Sequence, residues 1–70
     1  MNKAYTPAIK ANIEALARLL ENAASQAKEA AEAIEYGERN LAIGCIIDLD
    51  RILPAAQALY GAAIALHQQK

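Results

Sequence analysis

From residue 9 onward, apolar side chains recur at alternating spacings of four and three: Ile9, Ile13, Leu16, Leu20, Ala23, Ala27, Ala30 and Ile34. That period gathers them on one face of a helix. Lys10, Glu14, Arg18, Glu21, Ser25, Lys28, Glu29 and Glu32 fill the opposite face, so the segment reads as an amphipathic helix with one wet side. Glu14 stands four residues before Arg18, the favourable order for a helical ion pair. Thr6 suits an N-cap, and Pro7 suits the first helical position because its φ is already set. Gly37 follows the last periodic residue and can take the left-handed conformation that ends a helix. Asn40 can then cap a second helix beginning at Leu41. The pattern predicts helices over 7–36 and 41–68, antiparallel and joined at residues 37–40. The competing pattern is one unbroken helix, since Leu41 stays in phase with Ile34.

The second segment lacks a charged face. From Leu41 to Leu66 the only ionisable side chains besides Cys45 and Tyr60 are Asp48, Asp50 and Arg51. A helix apolar or small nearly all round is usually covered on more than one side. Folding the chain at residues 37–40 sets the Ala-rich half of the first helix (Ala23, Ala27, Ala30) against Ile46, Leu49, Ile52 and Leu53. Ile13, Leu16 and Leu20 then face Ala56, Gly61 and Ala63. Large opposes small along the seam, as dense helix packing requires. Pro54 removes an interior N–H, and the expected outcome is a kink in a continuous helix at that position. The outer side of this helix carries Ile43, Ile47, Ala55, Ala58 and Ala62, a candidate interface between two copies of the chain.

Seventy residues make one domain, here 1–70, near the size where a single core is marginal without disulfides, metal or oligomerisation. The chain is 56% hydrophobic, much of it Ala, with no Phe or Trp, which suits close helices and argues against sheet. The fold expected is all-α: a two-helix antiparallel hairpin that dimerises into a four-helix bundle. A net charge of -1 gives no electrostatic reason to expect nucleic acid or an anionic membrane as a partner. A single Cys excludes an internal disulfide framework and fits a reducing compartment. Residues 1–6 lack the basic-then-apolar pattern of a secretory signal, so a cytoplasmic location is expected. Asp48, Asp50 and Arg51 interrupt the apolar run before it reaches the roughly 20 residues that a membrane span needs.

Candidate chemistry is sparse. His67 is the only histidine and has no carboxylate three or four residues on, so it reads as a helix-end residue packing near Tyr5 and Ile9. Cys45 lies on the buried stripe with no basic residue within a turn on that face, which suits packing rather than nucleophilic chemistry. Asp48 and Arg51 are spaced to pair; Asp50 points elsewhere, and no two acids converge as hydrolysis would need. Glu29, Glu32, Glu35 and Glu38 form the densest charge run, a candidate surface for a basic partner. Steps of three drift around the helix, so a solvated face is the simpler reading. No metal, cofactor or catalytic constellation can be assembled from these residues.

By elimination the sequence describes a small non-enzymatic helical interaction protein, a homodimer that regulates, inhibits or scaffolds another protein. Small accessory proteins of bacteria, plasmids and phages fit that description by analogy. A second class is RNA binding. A two-helix hairpin dimer is similar in architecture to the Rop family of plasmid RNA-binding proteins, although no stretch matches their sequence. Lys10, Arg18 and Lys28, with Asn22 and Gln26 near them, are the groups that would touch phosphate, and the interspersed Glu residues oppose it. A metal-binding or catalytic bundle is the third class, with no residues to build its pocket.

Overall fold

Two residues, Tyr36 and Gly37, set the line along which the chain folds back on itself. Tyr36 ends the first helix and Gly37 takes φ +77°, the left-handed conformation expected of it. The Gly37 N–H donates to the Ile34 carbonyl at 3.0 Å and the Glu38 N–H donates to the Ala33 carbonyl at 2.9 Å. This is the paired Schellman closure, which satisfies two carbonyls that a bare helix end leaves open.

The computed structural model describes residues 3–69; the readings that touch residues 1, 2 and 70 lie outside it. A short 3₁₀ turn, Lys3–Tyr5, leads into α1, Thr6–Glu35. After the turn come α2, Arg39–Ile46, and α3, Leu49–His67, and α1 packs against both. The described chain is an all-helical hairpin whose second arm is α2 followed by α3. Its Cα extents are 53 × 15 × 11 Å, a two-helix ribbon with no further layer.

The cap residues differ from expectation. α1 starts one residue early, so Tyr5 occupies the cap position, Thr6 opens the helix and no side chain closes the cap. In the second arm Glu38, not Asn40, is the cap, because the Ala42 N–H already donates to the Glu38 carbonyl at 2.9 Å. The Schellman closure leaves the chain at Glu38 ready to start the next helix, so a turn of only three residues suffices.

The second arm is bent, and its discontinuity falls at Ile47 and Asp48, ahead of Pro54. Pro54 lies exposed inside α3, which runs through it. Near the break the Asp50 and Arg51 N–H groups donate to the carbonyls only three residues back, Ile47 at 3.3 Å and Asp48 at 3.0 Å. Pro54 lacks the N–H for the Asp50 carbonyl and its ring crowds that carbonyl. The helix tightens in the turn before it, where a 3₁₀ stretch accommodates the change in direction.

The seam between the arms follows a strict alternation of three and four. On α1 the inward positions are Tyr5, Ile9, Asn12, Leu16, Leu19, Ala23, Gln26, Ala30 and Ala33. On the second arm they are Ala42, Cys45, Leu49, Ile52, Ala56, Leu59, Ala63 and Leu66. Near the turn Ala30, Ala33 and Ala42 form one cluster with Cys45 packed on it. Small residues there let the backbones approach. Ile52 is the only fully buried large side chain among the described residues, at 1% exposure.

This seam corrects part of the expected stripe. Ile9, Leu16, Ala23 and Ala30 face inward, but Ile13, Leu20, Ala27 and Ile34 are exposed, their places taken by Asn12, Leu19, Gln26 and Ala33. The spacing of 3.5 that two supercoiled helices share selects lines three and four apart. The wider apolar arc of α1 has a third line, and a single partner leaves it outside.

Two substitutions test the seam and the turn. Ala30→Leu is expected to lower stability by about 1–3 kcal/mol through overpacking. Ala11→Leu, at an exposed site, should stay within about 0.5 kcal/mol in chemical denaturation. Gly37→Ala meets no neighbouring atom within 4 Å, so its cost is backbone strain alone, about 1–2 kcal/mol. Gly61→Ala, in ordinary helix with equally open surroundings, should stabilise by about 0.5–1 kcal/mol. A common sign for the two glycine variants in thermal melts would contradict this account.

Candidate interaction surface

The surface of the ribbon is unusual in what it leaves wet. Eleven large apolar side chains of the described residues are exposed, among them Ile13 at 52%, Leu20 at 47% and Leu53 at 51%. The arms run in opposite directions, so lines that follow the seam by the same offset fall on the same side of the ribbon. Four residues beyond the seam positions 9, 16, 23 and 30 come Ile13, Leu20, Ala27 and Ile34. Four beyond 42, 49 and 56 come Ile46, Leu53 and Tyr60. Ile43 and Ile64 adjoin that second line, so eight of the eleven exposed side chains share one flank.

The opposite flank is polar. It holds Arg18, Asn22, Ser25, Glu29 and Glu32 on α1, and Asp48 and Arg51 on the second arm, with Ala between them. The Arg51 Nη2 donates to the Asp48 Oδ2 at 2.9 Å, the ion pair expected from their spacing. The Arg51 guanidinium holds the Asp48 carboxyl below its usual value, first by this hydrogen bond and then by its charge. Arg51 is raised in turn. Gln26, from across the seam, pulls Asp48 weakly in the same direction, while its own Oε1 is buried without a partner. With its folded-state value depressed, Asp48 favours the folded state above the ordinary carboxylate range. That contribution fades as pH falls through the lowered value, and both side chains are open to screening by water and salt.

The remaining candidates are dispersed. Ile43 sits on the apolar flank and Ile47 on the outer side of the bend, both exposed. Ala55 is half-buried at the edge of the polar flank; Ala58 and Ala62 are exposed on that same side. The structure therefore spreads these five over about 120° of the helix circumference and does not bring them together. Glu29, Glu32, Glu35 and Glu38 are all exposed and project from different sides of α1 and the turn. Glu14 and Arg18 do not come within ion-pair distance.

Cys45 is half-buried against the alanine cluster, as its place on the stripe suggested. His67 is exposed, and Leu66 takes the seam position opposite Ile9. Lys10, Arg18 and Lys28 lie within about a quarter turn of one another on the exposed outer side of α1, where Glu14, Glu21 and Glu32 alternate with them and break up a phosphate-binding stripe. An open depression at the turn is lined by Gly37, Glu38, Arg39, Asn40 and Leu41. Among the described residues no group of three His, Cys, Asp or Glu side chains is placed to hold a metal ion. Among the described residues no helix is long and apolar enough to cross a membrane. Compared with known protein families, curated proteins and solved structures, the chain shows no significant match.

Arg51→Ala should raise the Asp48 pKa toward the ordinary carboxylate value in an NMR pH titration. The melting midpoint should hardly move, as is usual for exposed pairs. An unchanged Asp48 titration would show that the pair does not persist in solution.

Proposed function

We propose that the chain is a non-enzymatic helical interaction protein, a homodimer that regulates, inhibits or scaffolds another protein. The observation that supports this best is the imbalance between buried and exposed apolar groups. Among the described residues the six buried apolar ones are Ile52 and five alanines, while eleven large apolar side chains stay accessible. A core of that size supplies little of the burial that stabilises an independent domain, at about 25 cal/mol per Å². Association supplies the rest, and pairing of two hairpins into a four-helix bundle is the economical solution. The exposed ionic groups, among them Glu29 and Glu32, then keep the assembly in solution and offer a surface to a further protein.

Sedimentation equilibrium tests the first part: the expected mass is twice the 7.5 kDa of one chain, and the melting temperature should rise with concentration. A stable monomer at high micromolar concentration, with a concentration-independent melt, would refute it.

A further inference from the structure

We propose that a second copy of this chain covers the apolar flank carrying Leu20 and Leu53, with the turns of both hairpins at the same end of the bundle. The inference rests on the reading of the protein as a self-associating module and specifies the face and arrangement.

The flank is a second seam in its own right. On α1 residues 13, 17, 20, 24, 27, 31 and 34 alternate by four and three, and every one is Ile, Leu or Ala. On the second arm the matching positions 43, 46, 50, 53, 57, 60 and 64 are apolar except Asp50 and Gln57, which lie along the outer edge. A helix with one neighbour needs only two apolar lines. A third line beside them is the pattern of helices that face two neighbours in a bundle. The same period continues the hairpin's own seam without a step, so the occupant it suits is another helix pair of this pitch.

Area gives the same answer. A compact monomer of this mass exposes roughly 4,200 Å², whereas this chain exposes 5301 Å². The excess is about 1,000 Å², above the roughly 800 Å² per partner of a standard stable interface. Its Cα radius of gyration, 16.1 Å, likewise exceeds the about 11 Å of a globular chain of this length.

The flank also complements itself. Between Leu20 and Ile34 the α1 line holds only Ala24, Ala27 and Ala31, a shallow channel. Level with it across the hairpin stand Ile43 and Ile46, a ridge. A twofold axis along the length of the ribbon sets the ridge of one copy into the channel of the other, twice. The alternative axis, across the middle of the ribbon, reverses its ends and sets bulky groups on bulky ones, Leu20 on Leu20 and Ile46 on Ile64.

Leu20→Glu and Leu53→Glu should each halve the mass in sedimentation equilibrium, whereas Ala58→Glu on the other side should leave it unchanged. A label attached through Glu38→Cys in a Cys45→Ser background reads the arrangement without disturbing the flank. The two labels of a dimer should lie well within half of the 53 Å length of the ribbon. A dimer that survives both Leu→Glu changes overturns the assigned face, and labels near the full length apart overturn the arrangement; the homodimer reading survives either result. A wild-type monomer overturns that reading as well.

Discussion

The close approach of two helices over small side chains is the constraint on which everything else in this protein depends. Ala30 and Ala33 on one arm, with Ala42 and Cys45 on the other, allow the backbones to meet next to the turn. Close contact there fixes the alternation of three and four for the whole length of the hairpin. With only two lines of each helix admitted to the seam, the bulky residues of a third line have nowhere to go but outward. The exposed flank is thus a geometric consequence of the seam.

The hairpin itself was legible in the residues. Gly37 marks the end of α1 because no other residue type takes φ +77° so readily, and the small-against-large match along the seam required the chain to reverse there. The pairing of Asp48 with Arg51 and the packing role of Cys45 followed from spacing alone. The phase of α1 did not. Ile13, Leu20, Ala27 and Ile34 are together more apolar than Asn12, Leu19, Gln26 and Ala33, so hydrophobicity alone selects the wrong line for the intramolecular seam. A helix with three apolar lines has two possible seams, and only the partner's phase decides between them. The bend of the second arm was expected, but its place and the two caps were not. Closure at the turn moved the start of α2 to Arg39, behind Glu38, and the second arm changes direction at Ile47 and Asp48, about two turns before Pro54.

The interface residues first singled out on the second arm were read as one surface because they are uncharged. In three dimensions those five residues do not share one side of the ribbon. Ala58 and Ala62 share a side with charged Arg51, and the bulky side chains gather on the flank beside α1. The polar Asn12 and Gln26 within the seam lean toward the charged flank, where Gln26 approaches Asp48. The ribbon is therefore two-sided in its chemistry, a division that the second arm hardly shows when viewed alone.

The position of the layer beside the turn has a consequence for how the chain reaches this state. Ala33 and Ala42 meet only nine residues apart along the sequence, while Ile9 and Leu66 at the far end are 57 apart. Ala33 and Ala42 are buried; Ile9 and Leu66 are half-buried. Closing the first loop is the cheapest step in chain entropy, and each later layer enlarges the loop only slightly, by an amount that grows with the logarithm of its length. Folding can therefore proceed as a zipper from Gly37 toward the ends. The same order in loop length makes the two termini the first region to fray, so local opening starts at the end farthest from the turn.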